Sequence, residues 1–107
     1  MTKTYNKLVR DRIPELIEAS GAGCTVEYLT NEKYLEMLDA KLDEELTEYY
    51  KDQSLEELAD LLEVLYAVVT ARGYTLEELE TVRIAKVKER GAFEKKILLV
   101  ATTSSSN

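Results

Sequence analysis

Two pairs of acidic residues in the middle of the chain have a spacing that suits metal chemistry. Glu45 and Glu48 stand three residues apart, and so do Glu57 and Asp60, with a short polar stretch between the pairs. Carboxylate oxygens are the ligands that Mg²⁺ prefers in proteins. Carboxylates at the edge of an apolar core repel one another unless a cation neutralises them. The spacing therefore predicts a divalent-cation site for Mg²⁺, with Mn²⁺ as a substitute.

The remaining residue types exclude several chemistries. The chain of 107 residues contains no histidine and one cysteine, Cys24. Zinc sites of the Cys/His type, histidine-based acid–base catalysis and an internal disulfide are therefore excluded. Any reaction must use carboxylates, lysine, arginine, tyrosine or hydroxyl groups.

Charge and hydropathy narrow the choice of partners. The formal net charge is −7, whereas binding to nucleic acid or to an anionic membrane needs a contiguous basic surface. No apolar run reaches the roughly 20 residues of a membrane span. The N-terminus lacks the apolar centre of a signal peptide. We expect a cytoplasmic protein that binds neither nucleic acid nor a membrane.

The acids must be positioned by helices, and the sequence predicts three helices before residue 73. Pro14 marks the first turn of a short helix that glycines end. A second helix, from about 32 to 51, places leucines at three- and four-residue spacing, so that one stripe faces a core. Ser54 opens a third helix through a capping box with Glu57, and this helix continues to Arg72.

A fourth helix opens at Thr75 and extends to about Arg90. Its opening, TLEELET, repeats the opening of the third helix, SLEELAD, but it carries Thr81 where the third helix carries Asp60. Capping alone therefore does not require an acid at position 60. This internal comparison favours a function for Asp60.

Helix geometry brings the two acidic pairs together. Glu45 and Glu48 share a face of the second helix. Because a short hinge forces the second and third helices antiparallel, the end of one lies beside the start of the other. We therefore expect the four carboxylates to converge. The third helix carries a leucine stripe and a second row, which consists of Asp60, Val64, Ala67 and Ala71.

Solvent exposure is the competing interpretation for some of these acids. Glu57 already has a role as the capping-box residue. Glu44 and Glu56 lie off the apolar stripes, and a solvated helix face explains them. For Glu45 and Glu48 the spacing alone favours neither interpretation.

Four helices with short connections predict an all-α, four-helix bundle-like fold in a single domain, residues 1–101. A short strand pair near residues 25–29 and 95–100 is a further expectation. Residues 102–107, TTSSSN, are too polar to pack and should form a flexible tail.

The third helix also predicts self-association. Between Leu61 and Ala71 it is apolar almost all round. A domain of this size has too few elements to cover every side of such a helix. We therefore expect a homodimer or a larger homo-oligomer.

The acids and their flanking residues resemble the all-α nucleoside triphosphate pyrophosphatase superfamily, which includes the MazG-like enzymes and the phosphoribosyl-ATP pyrophosphohydrolases. There, a helix bearing ExxE faces a helix bearing ExxD, and the matching segments here are ELTE and ELAD. The opening YNKLVRDRIPELIE, the stretch KLDEELTEYY, the run that begins EELADLLEVLYAVV and the ending RGAFEKKILL are similar to small MazG-like proteins described as phosphoribosyl-ATP pyrophosphohydrolase-like. The resemblance extends from Tyr5 to Leu99. Eight residues separate Glu48 from Glu57, fewer than in many MazG relatives, so the nucleotide preference stays open.

The resemblance implies a reaction and its catalytic groups. A nucleoside triphosphate would be hydrolysed between its α and β phosphates to a monophosphate and pyrophosphate, as in house-cleaning of the nucleotide pool. The resemblance places Mg²⁺ on Glu45, Glu48, Glu57 and Asp60. A carboxylate would accept a proton from the attacking water. The general base is not assigned, and the candidate catalytic residues are Glu44, Glu45 and Glu48.

An anionic substrate also requires cations near the acids. The resemblance favours Lys7, Arg10, Lys86 and Arg90 as substrate-binding residues. Surface ion pairs are the alternative use of these side chains, since the chain has 21 acidic residues. Composition alone favours the ion pairs.

Two other functions remain open. One is true phosphoribosyl-ATP hydrolysis in histidine biosynthesis, although the opening YNKLVRDRIPE is not expected in that enzyme. The other is a helical oligomerisation or regulatory module that keeps the acids without catalysing a reaction. Assays with a panel of nucleotides distinguish the three.

Overall fold

The computed structural model describes residues 1–104, and these contain four α-helices and no strand. The all-α fold class is therefore confirmed. The second, third and fourth helices begin and end within about one residue of their predicted bounds. The helices are α1 (Ile13–Ala19), α2 (Asn31–Asp52), α3 (Leu55–Ala71) and α4 (Leu76–Arg90).

The chain consists of two compact units, each defined by the contacts among its own residues. These units are Met1–Leu76 and Glu77–Asn107. The first unit contains α1, α2 and α3, and the second contains nearly all of α4. The single domain over residues 1–101 stays a prediction. Residues 102–104 have no regular secondary structure, and the rest of the predicted tail lies outside the described residues.

In the first unit α2 and α3 pack against each other as a helical hairpin. Two residues link them, Gln53 and Ser54, and Gln53 adopts a left-handed conformation with a φ of 51°. The Gln53 N–H donates to the carbonyl of Tyr49, which ends α2. Leu38, in the middle of α2, is the one hydrophobic residue of positions 1–104 that is fully buried.

Hydroxyl caps fix where these two helices begin. Thr30 Oγ1 accepts a hydrogen bond from the N–H of Lys33, at 3.3 Å, and Ser54 Oγ accepts one from the N–H of Glu57, also at 3.3 Å. Each cap satisfies a donor that has no partner inside the helix. The Ser54 cap places Glu57 and Asp60 in the first two turns of α3, beside the link.

The two rows of α3 differ in exposure. The row that begins with Asp60 is half-buried along its length. The leucine stripe is exposed instead, with Leu58 at 42%, Leu62 at 45% and Leu65 at 40%. Asp60 therefore lies on the half-buried face of α3, and the leucines point away from it.

The predicted strand pair is wrong. Residues 25–29 and 95–100 have no strand structure. A two-stranded ribbon is marginally stable in water unless one face packs on a core. Most large apolar side chains of both stretches are exposed, including Tyr28 and Leu98, and Leu29 is half-buried, so that neither stretch has a face buried in a core. None of the helices in the described part of the chain combines the length and apolarity that a membrane span requires.

Candidate metal centre

The hairpin gathers acids at one end because α2 finishes and α3 begins there. Glu45, Glu48 and Asp52 lie in the last two turns of α2, and Glu57 and Asp60 lie in the first two turns of α3. With two linking residues, the end of α2 is next to the start of α3. The predicted convergence of the two acidic pairs follows from this connection.

Three of the four predicted ligands form one group. Glu45, Glu57 and Asp60 each offer a carboxylate oxygen, and these oxygens all lie within 4.8 Å of one another. The Glu45 side chain is the most enclosed of the three, with 12% of its surface exposed. An all-oxygen donor set contributed by two rigid helices is suited to a hard divalent cation.

The fourth predicted ligand belongs to a second, adjacent group. Glu48, Asp52 and Glu57 also offer carboxylate oxygens that lie within 4.8 Å of one another. Glu57 is common to both groups. Sequence reasoning missed Asp52, although its position four residues after Glu48 puts both on one helix face.

Repulsion among these acids is concentrated on Glu57. The pKa of Glu57 is raised above its ordinary value of 4.5, first by desolvation and then by the charges of Asp60, Asp52, Glu45 and Glu48. Within residues 1–104 its carboxylate forms no ion pair and no side-chain hydrogen bond. A cation placed beside Glu57 would offset this repulsion and lower its pKa.

The capping box is formed only in part. Ser54 covers the N–H of Glu57, but the Glu57 carboxylate does not return a hydrogen bond to Ser54 within the described residues. The expectation that this side chain serves the cap is wrong, because the carboxylate lies among the acids of α2 instead. The cap uses the backbone N–H of Glu57, whereas its carboxylate belongs to both carboxylate groups.

Two predicted substrate-binding cations contact acids of this region. Arg10 Nη2 donates to Asp60 Oδ1 at 2.6 Å, and Lys7 Nζ donates to Glu44 Oε1 at 3.1 Å. Both basic residues belong to the N-terminal segment, which we define as residues 1–12. The segment has no helix or strand, and these contacts attach it to α2 and α3. Sequence periodicity offers no signal for such contacts.

Lys41 is a further cation at the centre that sequence reasoning missed. Its ammonium lies 3.5 Å from a carboxylate oxygen of Glu44 and 3.5 Å from one of Glu45. The pKa of Glu44 is lowered, chiefly by the hydrogen bond from Lys7 and also by the charge of Lys41, although desolvation acts in the opposite direction. A lowered pKa makes Glu44 a weak proton acceptor, which favours an outer role for it over that of general base.

A small pocket lies where the N-terminal segment meets α2. Its volume is about 110 Å³, whereas ligand sites for small molecules are typically about 300–1,000 Å³. A nucleotide would not fit in it. The lining residues are Asn6, Lys7, Leu8, Met37, Ala40, Lys41 and Glu44.

The other two predicted substrate-binding residues lie in the second unit. Lys86 and Arg90 occupy the last turns of α4, four residues apart, and both are exposed. Residues at this spacing share a helix face. Neither forms an ion pair with another described residue. Their part in substrate binding stays a prediction.

Comparisons with known proteins add one partial similarity. A protein of Mycolicibacterium smegmatis described as uncharacterized is 57% identical over 42 residues, which cover 39% of this chain and 43% of that protein. The match thus spans less than half of either protein. No protein-family model matches the chain, and no solved structure matches it. The family resemblance therefore rests on the sequence patterns alone.

Proposed function

We propose that the chain is a nucleotide pyrophosphohydrolase that depends on Mg²⁺, or on Mn²⁺ in its place, and cleaves nucleoside triphosphates between the α and β phosphates. The observation that carries the proposal is the approach of Glu45, Glu57 and Asp60 oxygens to within 4.8 Å of one another. These residues belong to the ExxE and ExxD segments on which the resemblance to MazG-like enzymes rests. Nucleotide-pool house-cleaning is the role that such a reaction suits.

The donor chemistry fits the proposed cation. Five carboxylates meet at the end of the hairpin, and Glu57 is shared by both groups. A divalent cation bound there would offset phosphate charge and make water a better nucleophile at neutral pH. The carboxylates of α2 and α3 would hold it from two sides. Because both helices are rigid, little reorganisation would be needed.

Proton transfer is the second task that the residues must perform. A general base must accept a proton from the attacking water. Glu44 is poorly suited, since Lys7 and Lys41 hold its pKa low. Glu45 and Glu48 remain the candidates on α2, and both also belong to the proposed ligand set.

Cations near the acids support an anionic substrate. Lys7 and Arg10 lie next to the carboxylates, where a phosphate chain would approach. The resemblance also assigns phosphate binding to Lys86 and Arg90, which share one face of α4. Arginine binds phosphate through two parallel N–H donors, and lysine binds it as a point charge.

The direct test is turnover. Purified protein is incubated with Mg²⁺ and a panel of nucleoside triphosphates and phosphoribosyl-ATP, and pyrophosphate is followed. We expect release that a chelator abolishes. Release from phosphoribosyl-ATP alone would favour histidine biosynthesis. No release from any nucleotide would contradict the proposal.

A non-catalytic oligomerisation module is the second candidate, and the exposed leucine stripe of α3 favours it. Leu58, Leu62 and Leu65 are each at least 40% exposed, and their spacing places them on one face of the helix. Such a surface suits contact with a second copy of the chain. An oligomer is also compatible with an enzyme. Self-association without pyrophosphate release would favour the module.

A further inference from the structure

The contact between Arg10 and Asp60 joins a predicted substrate-binding residue to a proposed metal ligand. Arg10 Nη2 lies 2.6 Å from Asp60 Oδ1. The same N-terminal segment is also attached to α2, where Lys7 Nζ lies 3.1 Å from Glu44 Oε1. Arg10 therefore neutralises a carboxylate that the proposed function assigns to a divalent cation.

With a divalent cation bound, Asp60 would lie next to two cations. One of its oxygens lies within 4.8 Å of oxygens from Glu45 and Glu57. A divalent cation among these three oxygens would stand beside the carboxylate that Arg10 holds. Two positive charges at a single carboxylate repel each other. The guanidinium and the divalent cation therefore compete for Asp60.

Exchange between the two cations requires little rearrangement. The side chains of Arg10 and Asp60 are 60% and 40% exposed, and exposed ion pairs are weak and readily replaced by water. Lys7 pairs with Glu44, which belongs to neither carboxylate group, so an exchange at Asp60 does not require that contact to break. Arg10 can thus leave Asp60 while the N-terminal segment remains on α2.

We infer that Arg10 is an exchangeable occupant of the metal centre. It pairs with Asp60 when no divalent cation is bound, and it leaves when a cation binds. The released guanidinium is then a donor for a phosphate group. This inference rests on the proposed function, because it requires the carboxylates to bind a divalent cation. It makes cation binding and phosphate binding cooperative at this site.

Nuclear magnetic resonance of the wild-type chain tests the exchange without any substitution. Mg²⁺ is added while the side-chain Nε–H signals of Arg10 and Arg12 are followed. Arg12 is the internal control, because it pairs with Glu15 and with no acid of the metal centre. We expect the Arg10 signal to move toward that of a solvated arginine while the Arg12 signal stays in place. An unmoved Arg10 signal at saturating Mg²⁺ overturns the inference.

Calorimetry of two matched variants provides the second measurement. Arg10→Gln and Arg12→Gln remove the same charge from neighbouring positions of one segment. We expect Arg10→Gln to lower the Kd for Mn²⁺ by about twofold to fivefold, the range in which an exposed ion pair competes. Arg12→Gln should produce a clearly smaller change, since exposed charges are screened by salt. Equal effects, or weaker binding in Arg10→Gln, overturn the inference.

The wild-type data separate this inference from the proposed function. Cation binding without pyrophosphate release contradicts the proposed function and leaves the exchange standing if Arg10 responds. Pyrophosphate release with an unresponsive Arg10 contradicts the exchange alone. A wild-type chain that binds neither Mg²⁺ nor Mn²⁺ contradicts both.

Discussion

Asp60 has two roles at the scale of single residues, since it belongs to a carboxylate group and also pairs with Arg10. The sequence predicted the first role, because the spacing of the acids and the short hinge bring the two pairs together. It did not predict the second. Arg10 and Asp60 are 50 positions apart in the sequence, and no local pattern reports a contact over that distance. Asp52 was missed for a different reason, since it lies outside the ExxE spacing.

Asp60→Asn separates catalysis from stability. Losing the ion pair with Arg10 costs about 0.2–1 kcal/mol, as for other exposed pairs. Relief of repulsion on Glu57 offsets part of this cost. We therefore expect unchanged helicity and a free energy of unfolding within about 1 kcal/mol of wild type. Turnover should fall at least about a hundredfold, because the attacking water is no longer positioned.

The matched control for this substitution is Glu56→Gln. Glu56 lies in the same part of α3 and is exposed, and it belongs to neither carboxylate group. The Glu56→Gln variant should retain turnover and cation affinity. Circular dichroism, calorimetry and a pyrophosphate assay compare the two variants. Full activity in Asp60→Asn would remove the metal assignment, and loss of folding would indicate a structural acid.

Glu57 gives the metal-free protein a definite pH dependence. Its pKa in the folded chain lies above the ordinary value of 4.5, so the folded state binds this proton more tightly than the unfolded state. Well below pH 4.5 Glu57 is protonated in both the folded and the unfolded state, so it does not change the free energy of unfolding. Above its folded pKa it is ionised in both states, and its repulsion lowers the free energy of unfolding by the full amount. We expect Glu57→Gln to gain stability relative to wild type as the pH rises from about 4 to about 7.

Thermal unfolding in a chelator across that pH range measures the effect. Adding Mg²⁺ should remove the advantage of Glu57→Gln, because the cation stabilises only the folded wild-type site. The Ser54 cap is preserved in this variant, since it uses the backbone N–H of Glu57. A stability difference that does not vary with pH would show that Glu57 is not under repulsion.

At the scale of elements, the helix bounds were predictable because their causes are local. Pro14, Ser54 and the glycines after the helices act within one turn. The exposure of the two rows of α3 was not predictable. Apart from Asp60 both rows are apolar, and which one is covered depends on what packs beside the helix. The prediction of a strand pair was wrong because it also depended on packing. Strand propensity alone does not supply a surface on which the strands could pack.

The helix caps provide a prediction at this scale. Ser54→Ala and Thr30→Ala should each lower the free energy of unfolding by about 1 kcal/mol, since each removes one N-cap hydrogen bond. Their effects on cation binding should differ. Ser54 positions the turn that contains Glu57, so its loss should weaken Mg²⁺ binding by up to about tenfold.

Thr30 is the N-cap of α2, whereas the acids of the candidate site lie at the C-terminal end of the same helix. Thr30→Ala should therefore leave Mg²⁺ affinity unchanged, although it lowers the free energy of unfolding by about as much as Ser54→Ala does. Chemical denaturation and titration calorimetry provide the two readouts. Equal losses of Mg²⁺ affinity in both variants would show that overall stability, and not the α3 cap, controls the site.

At the scale of the whole molecule, the leucine stripe of α3 predicts self-association. With Leu58, Leu62 and Leu65 each at least 40% exposed, we expect a dimer or larger oligomer at micromolar concentration. Leu62→Lys should shift the protein toward monomer by placing a charge in the contact. Thr70→Lys is the control, since it adds the same charge to α3 off the stripe. Sedimentation velocity distinguishes these outcomes, and a monomeric wild type contradicts the prediction.

The two-residue link between α2 and α3 has a consequence for the order of folding. Closing a short loop costs the least entropy, so contacts beside the link form early. The acids lie beside that link, and the earliest contacts therefore bring like charges together. Their repulsion should already raise the barrier to folding. Mg²⁺ should accordingly speed refolding more than it slows unfolding, so that a cation proposed for catalysis also acts as a folding nucleus for the hairpin.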